Sequence, residues 1–316
     1  MRDEIKRLPA EFLERLRQLV PSHKFDSIVN TFAVTKPTTF RVNTLKATAE
    51  TVEKELRGLG FRCDRAPWLS GAFILREGRL RELQETEIYK TGKIYVQNLS
   101  SMIPVLVLDP QPGETILDLT AAPGSKTTQI ACLMKNDGRL VANDNNKIRF
   151  FRLKANIELQ GCKNVELMLK YGEAFGRIFP ETFDRVLLDA PCSAEGRFDA
   201  NDPRSIGYWK IQKVKEMAHK QKKLIFSGIQ ALKPGGILVY STCTFAPEEN
   251  EEVLDFALKK NEGQIELESI KLPLTNQMPG IRSWQDKKFH PSISKSVRIL
   301  PANQMEGFFV ARLRKS

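Results

Sequence analysis

Two of the five cysteines, Cys192 and Cys243, each follow a short apolar run and sit among polar groups. The first lies in Leu187-Leu188-Asp189-Ala190-Pro191-Cys192-Ser193, so a carboxylate and a thiol share a four-residue stretch stiffened by a proline. The second lies in Val239-Tyr240-Ser241-Thr242-Cys243-Thr244. A free cysteine is usually a small buried hydrophobe. Two of them just past strand ends, one beside an acid, point instead to nucleophilic and acid–base work, because a thiolate attacks electron-poor carbon and a thiol exchanges protons.

A second cluster reads as a nucleoside-binding loop. Asp118-Leu119-Thr120-Ala121-Ala122-Pro123-Gly124-Ser125-Lys126 follows a β-rich run and leads into a helix. Its small residues and Gly124 let a ligand approach the backbone, and the helix start offers free N–H groups. A phosphate loop needs glycine directly before the lysine and again five positions earlier; Ser125 and Thr120 stand there, so that reading fails. The dinucleotide fingerprint fails too, since Gly124 is the loop's only glycine. About twenty residues on, Asp144 ends the next apolar run, where a carboxylate can accept both ribose hydroxyls of a nucleoside or simply cap a helix. Lys126, at the helix start, is placed to orient Asp189 or to lower a thiol pKa; a solvated first-turn lysine is the plainer alternative.

These residues need strand ends to hold them, and the pattern supplies them. From about Glu87 onward, strand and helix signals alternate: Thr115–Leu119, a helix from Lys126, Leu140–Ala142, a helix over Asn146–Gln160, then Val165–Leu169, Arg185–Leu188 and Ile237–Tyr240. That rhythm predicts an α/β, doubly wound, Rossmann-like and largely parallel sheet over residues 87–316, with ligands beyond the carboxyl ends of the strands. Residues 1–86 read differently. Two short amphipathic helices span Pro9 to Phe32, and a small α+β pattern follows with strands at Thr39–Val42, Phe61–Arg65 and Ala72–Leu75 and a helix capped by Thr48. Arginines run through it, including Arg41, Arg62, Arg65 and Arg76, so it is either an RNA-binding module or a packing unit. The stretch from Lys210 to Lys223 is a basic helical face, a lining for RNA or a solvated surface.

The 49 basic and 38 acidic residues leave a net charge of +11, which favours a polyanionic partner. The gaps between Cys63, Cys132, Cys162, Cys192 and Cys243 contain no C-x-x-C pair, and His23, His219 and His290 lie at no metal-ligand spacing. Free thiols in the cytoplasm and no metal are therefore expected. The longest clean apolar run, Ile103 to Leu108, is far short of a membrane span, and the first residues do not read as a signal peptide. Nothing signals oligomerisation, so a monomer is expected.

In this order, Asp118-Leu-Thr-Ala-Ala-Pro-Gly-Ser-Lys-Thr-Thr-Gln129, Leu187-Leu-Asp-Ala-Pro-Cys-Ser193 and Leu238-Val-Tyr-Ser-Thr-Cys-Thr244 resemble the Sun/Fmu family of RNA (cytosine-5) methyltransferases. Arg41-Val-Asn-Thr-Leu-Lys46 and Glu306-Gly-Phe-Phe-Val-Ala-Arg-Leu-Arg-Lys315 extend the likeness over nearly the whole chain, and Pro-Gly-Ser-Lys-Thr-Thr-Gln is similar to the bacterial RsmF branch. The resemblance implies S-adenosyl-L-methionine as cofactor, held by Thr120, Ala121, Ala122, Pro123, Gly124, Ser125 and Lys126, by Asp144 at the ribose, and by Asp189 between cofactor and base. It implies Cys243 as the nucleophile toward cytosine C6 and Cys192 as the residue that helps release product. It points to RNA as partner, ribosomal RNA first and tRNA as the alternative; DNA or a non-catalytic assembly role are the remaining rivals. Where the family has an aspartate after the third strand, this chain has Tyr171, with Glu173 two residues later, so adenine is expected to be met by one of these two. RsmF-type chains also carry a further C-terminal RNA-binding region, and this sequence stops after the catalytic motifs.

Overall fold

The computed structural model describes residues 3–316. A small antiparallel sheet is built from β1 (Thr39–Val42), β2 (Arg62–Arg65), β3 (Ala72–Glu77) and β4 (Ile94–Val96), in the order β2-β3-β1-β4. The helix Ala49–Gly58 starts as expected at Thr48, whose side chain accepts a hydrogen bond from the Thr51 N–H. Its apolar stripe, Val52 and Leu56, packs on Phe40 and Phe73, whose rings stack 5.4 Å apart. Because β4 pairs with β1, this sheet draws on residues beyond 87, a stretch that the sequence pattern groups with the catalytic segment.

The large sheet comprises β5 (Thr115–Asp118), β6 (Arg139–Asn143), β7 (Val165–Met168), β8 (Phe183–Asp189), β9 (Leu232–Thr242), β10 (Ile265–Glu268), β11 (Gln277–Pro279), β14 (Val297–Ile299) and β15 (Phe308–Lys315). A separate two-stranded ribbon pairs β12 (Ser283–Trp284) with β13 (Lys287–Lys288). The order β11-β14-β15-β9-β8-β5-β6-β7 keeps β5 to β9 parallel, while β15 runs antiparallel beside β9 and carries β14 and β10 on its flanks. The architecture is the expected α/β, Rossmann-like one, with a larger antiparallel portion than the strand–helix rhythm alone conveys. Antiparallel strands joined by short loops need no crossover helix, so they leave no alternation in the sequence to read.

Successive strands leave β5 in opposite directions, β6 to one side and β8 to the other, which opens a crevice past its carboxyl end. Behind this crevice the N-terminal helices Ala10–Leu19 and Ser22–Thr31 pack against the large sheet's core rather than the small sheet's. Phe12 meets Phe198 edge-on at 4.9 Å and Phe32 meets Phe245 at 6.3 Å. Both partners lie a few residues beyond the two cysteines singled out above, so these helices brace the segments that carry them.

Arg41 ties the small sheet to the large one. It is buried, yet its guanidinium donates to Gln97 Oε1 (2.9 Å), to the carbonyl of Ser125 (3.1 Å) and to Thr128 Oγ1 (2.5 Å). Five N–H groups on a rigid planar fork suit such multipoint bridging, and burial without these acceptors would be costly.

Candidate active site

Register sets the geometry. In the parallel β8–β9 pair, Asp189 lies opposite Ser241, so the two strands end level. Cys192 follows three residues after the end of β8 at Asp189, and Cys243 directly after the end of β9 at Thr242. Their sulfurs come within 3.3 Å, close enough to share a hydrogen bond. That contact and burial together hold the Cys192 thiol well above the ordinary cysteine range.

Beside the thiols, Lys126 and Asp189 form an ion pair with Nζ–Oδ2 2.6 Å. Lys126 is only 6% exposed and also donates to Ser101 Oγ (2.7 Å), while Ser241 Oγ donates to Asp189 Oδ1 (2.8 Å) and Thr120 Oγ1 to the Asp189 carbonyl (2.8 Å). Asp189 is thus fixed at both oxygens, and Lys126 is no solvated surface lysine. Below them, Asp118 accepts from Thr127 Oγ1 (2.6 Å), and its Oδ1 has no hydrogen-bond partner among the described residues. Burial pushes its carboxyl up to about 7, against the pull of the Thr127 hydrogen bond.

A cleft of about 220 Å³ joins these groups to the switch-point crevice. Thr120, Asp144, Glu173, Asp189, Cys192 and Cys243 all line it. Ala122 lines it too, where the loop passes through a cis Ala122–Pro123 bond. Gly124 takes φ 104°, and a Cβ there would come 3.0 Å from Leu153 Cδ1, so the loop is pressed against the helix Lys147–Gln160. Ala121, Pro123, Gly124 and Ser125 shape the loop without lining the cleft. Buried Asp144 accepts from the Asn146 N–H (2.9 Å), and its Oδ2 lies 3.4 Å from Arg149, so it both shapes the turn and faces the cavity.

Of the two residues expected near adenine, the structure brings in only one. Tyr171 is 73% exposed and does not line the cleft, so a stacking role finds no support in the geometry. Glu173 does line it, with a buried Oε2 that has no hydrogen-bond partner among the described residues. From the basic helix Ile211–Ala231, Lys220 reaches the cleft, whereas Lys222 pairs with Glu252 (2.7 Å) and Lys213 with Glu216 (3.8 Å). Among the described residues no helix is long and apolar enough to cross a membrane, and no group of three His, Cys, Asp or Glu side chains is placed to hold a metal.

The sequence left several supporting groups unmarked. Glu195 accepts from Thr244 Oγ1 (2.9 Å), the Phe245 N–H (3.0 Å) and Trp209 Nε1 (2.9 Å). Glu249 accepts from the Ser193 N–H (3.0 Å) and Gln221 Nε2 (2.8 Å). Arg197 lines the cleft and lies 3.7 Å from Glu306. In sequence, Glu249 is one acid of the run Glu248-Glu-Asn-Glu-Glu252 before a helix, which reads as a favourable interaction with the helix dipole. Burial does not single it out, since Glu251 is buried as well and pairs with Arg298; its bond to the Ser193 N–H does.

The comparisons with known proteins agree along the chain. Residues 105–314 match the family described as 16S rRNA methyltransferase RsmB/F, and residues 8–99 match the N-terminal domain of 16S rRNA methyltransferase RsmF. The tRNA (cytosine(49)-C(5))-methyltransferase of Pyrococcus abyssi is 41% identical, over 99% of this chain and 98% of that protein. The ribosomal RNA small subunit methyltransferase F of Vibrio campbellii is 38% identical over 98% of this chain, which spans only 63% of that protein. A methyltransferase homologue from Pyrococcus horikoshii superposes with a TM-score of 0.85 at 35% identity, covering 99% of this chain and 98% of its own. NSun6 from the same organism, at 24% identity and TM-score 0.81, shares the fold. The chain belongs to the RsmB/F family of S-adenosylmethionine-dependent RNA cytosine-5 methyltransferases.

Proposed function

We propose that this chain methylates C5 of a cytosine in tRNA through a covalent bond between Cys243 and C6. The observation that carries the mechanism is the pair of thiols 3.3 Å apart with the Lys126–Asp189 pair beside them. The tRNA substrate is supported by the 41% identity to a tRNA enzyme over 98% of that enzyme's length. Ribosomal RNA is the second reading, favoured by the family match over residues 105–314 and by the ribosomal relative of Vibrio campbellii.

The cleft suits the cofactor. A close-packed loop at Thr120–Lys126, a buried carboxylate at Asp144 facing a nucleoside's hydroxyls, and the orphaned Glu173 Oε2 match a sugar and an adenine amine. When bound, the cofactor supplies an electrophilic sulfonium methyl. C5 of cytosine is a poor nucleophile until a thiolate adds at C6, which turns C5 into an enamine-like carbon and moves charge toward N3. Asp189, locked by Lys126 and Ser241, meets that charge through a proton shared with N3 and accepts from the exocyclic amine. Once C5 carries the methyl, its proton leaves to a base, the C5–C6 double bond re-forms and the sulfur departs. Cys192 is the base at hand.

Residues 1–86 together with β4, which completes their sheet, are assigned to gripping RNA through their arginines, and the chain beyond β4 to catalysis. The chain is assigned to the cytoplasm as a monomer. Incubation with substrate RNA tests the roles: Cys192→Ala is expected to leave a covalent protein–RNA adduct on a denaturing gel, and Cys243→Ala none. An adduct from Cys243→Ala would reverse the assignment. Bisulfite sequencing of total RNA with and without the gene separates tRNA from ribosomal RNA.

A further inference from the structure

The two cysteine-bearing turns are cross-braced by two buried glutamates, each belonging to the other's segment. Glu195 lies three residues after Cys192, yet it accepts from Thr244 Oγ1 (2.9 Å) and the Phe245 N–H (3.0 Å), the residues that follow Cys243. Glu249 lies six residues after Cys243, yet it accepts from the N–H of Ser193 (3.0 Å), the residue that follows Cys192. Gln221 completes the second brace: its Nε2 donates to Glu249 Oε2 (2.8 Å) and to the carbonyl of Pro191 (2.8 Å). Both chain neighbours of Cys192 are therefore pinned, Ser193 by Glu249 and Pro191 by the Gln221 that Glu249 holds. Glu249 and Gln221 are fully buried, and Glu249 Oε1 has no hydrogen-bond partner among the described residues. Ser193 Oγ and Thr244 Oγ1 (2.7 Å) link the two turns, as does the Gly196 N–H on the Cys243 carbonyl (2.9 Å).

We propose that Glu249 is the positioning residue of product release: with Gln221 it sets the turn that holds Cys192 against Cys243, while Glu195 serves the attacking turn. This rests on the roles assigned to the two cysteines above. The asymmetry of the braces gives the distinction. Loss of the Glu249 brace frees Cys192 but leaves Cys243 held through Glu195, Phe245 and Gly196, so attack continues and release fails. Loss of the Glu195 brace frees the attacking turn, so the adduct does not form. A buried acid that mattered only for folding would lower adduct and turnover together. Burial raises the Glu249 carboxyl to about 8, so near neutral pH it is mostly protonated and a glutamine resembles it.

The test compares wild type with Cys192→Ala, Glu249→Ala, Glu249→Gln, Gln221→Leu and Glu195→Ala. Each is assayed for methyl turnover, for adduct on denaturing gels and for S-adenosylmethionine affinity as a check on the fold. Glu249→Ala is expected to lower kcat by about 100-fold, the scale of a lost acid–base group, while accumulating adduct as Cys192→Ala does. Glu249→Gln is expected to recover at least about tenfold over the alanine variant, since it keeps the hydrogen bonds at Ser193 and Gln221. Glu195→Ala is expected to form little adduct. Should Glu249→Ala fail to fold, Gln221→Leu poses the same question, since it cuts the link to Pro191. The proposal is overturned if Cys192→Ala traps adduct but the Glu249 and Gln221 variants lose adduct and turnover in proportion, or turn over normally. If Cys192→Ala itself traps nothing, the cysteine roles fall first.

Discussion

Asp118 gives a prediction whose size follows from the structure. Its carboxyl is 1% exposed, with one oxygen bonded to Thr127 and the other unpartnered, and burial raises its pKa from 3.8 to about 7. In the unfolded chain the same group ionises near its ordinary value. Between those two values the folded state holds a proton that the unfolded state has released, so stability falls as pH rises. Integrating the linkage for these two pKa values, the group costs the folded state about 3 kcal/mol more at pH 8 than at pH 5. For a chain of this length that corresponds to a Tm drop of about 5 °C. Asp118→Asn removes the titration while keeping an acceptor for Thr127. Its fixed penalty for an unpaired amide shifts the whole curve without changing its slope. Thermal melts of the ligand-free protein at pH 5, 6, 7 and 8 should therefore show the variant declining less than wild type by about 5 °C over the range. Parallel curves would mean that Asp118 is ionised in the folded state and that the burial argument is wrong.

Three further outcomes follow from the site. Lys126→Met strips Asp189 of its ion pair and should slow single-turnover methylation by about 100-fold or more, the scale of a lost preorganised charge, with S-adenosylmethionine affinity changed far less; an unchanged rate would remove Lys126 from the chemistry. Hydrogen peroxide should oxidise one of the paired thiols to a sulfenic acid with loss of water, and the other should displace a second water to close a disulfide. Thiol titration should then show two of the five cysteines lost and activity recovered by dithiothreitol, whereas Cys192→Ala should show no such protected, reversible state. Arg41→Ala leaves acceptors at Ser125, Thr128 and Gln97 unpaired and should destabilise the protein by about 3 kcal/mol, read as a lower denaturant midpoint.

Much of the site was visible in the sequence because it hangs on strand ends. Asp118, Asn143, Asp189 and Thr242 each close a parallel strand, and the chemistry lies in the few residues after them. Apolar runs mark such strands, and parallel neighbours bring their ends level. The adenine end was harder, because Tyr171 and Glu173 differ only in which way the chain turns after β7, a matter of local dihedrals. The braces were invisible for another reason. Glu195 and Glu249 act across 49 to 56 residues of chain, and an acid in a polar run looks the same whether it faces water or a backbone N–H. Arg41 likewise reaches the helix after Gly124 from more than 80 residues away. Nothing in the residues of β15 names its antiparallel neighbour β9, so that pairing leaves no mark in the sequence.

The contact between the two sulfurs has a consequence for timing. The hydrogen bond to Cys243 is the largest influence holding the Cys192 thiol above its ordinary range. In the proposed reaction, Cys243 becomes a thioether once it bonds to C6, its own proton and negative charge are gone, and it no longer competes for the Cys192 proton as a thiolate would. The reluctance of Cys192 to ionise then falls at the stage where a base is wanted. Because both thiols stand on neighbouring strands of one sheet, no hinge is required to bring the second into play. The first step clocks the second, and the adduct itself is the signal.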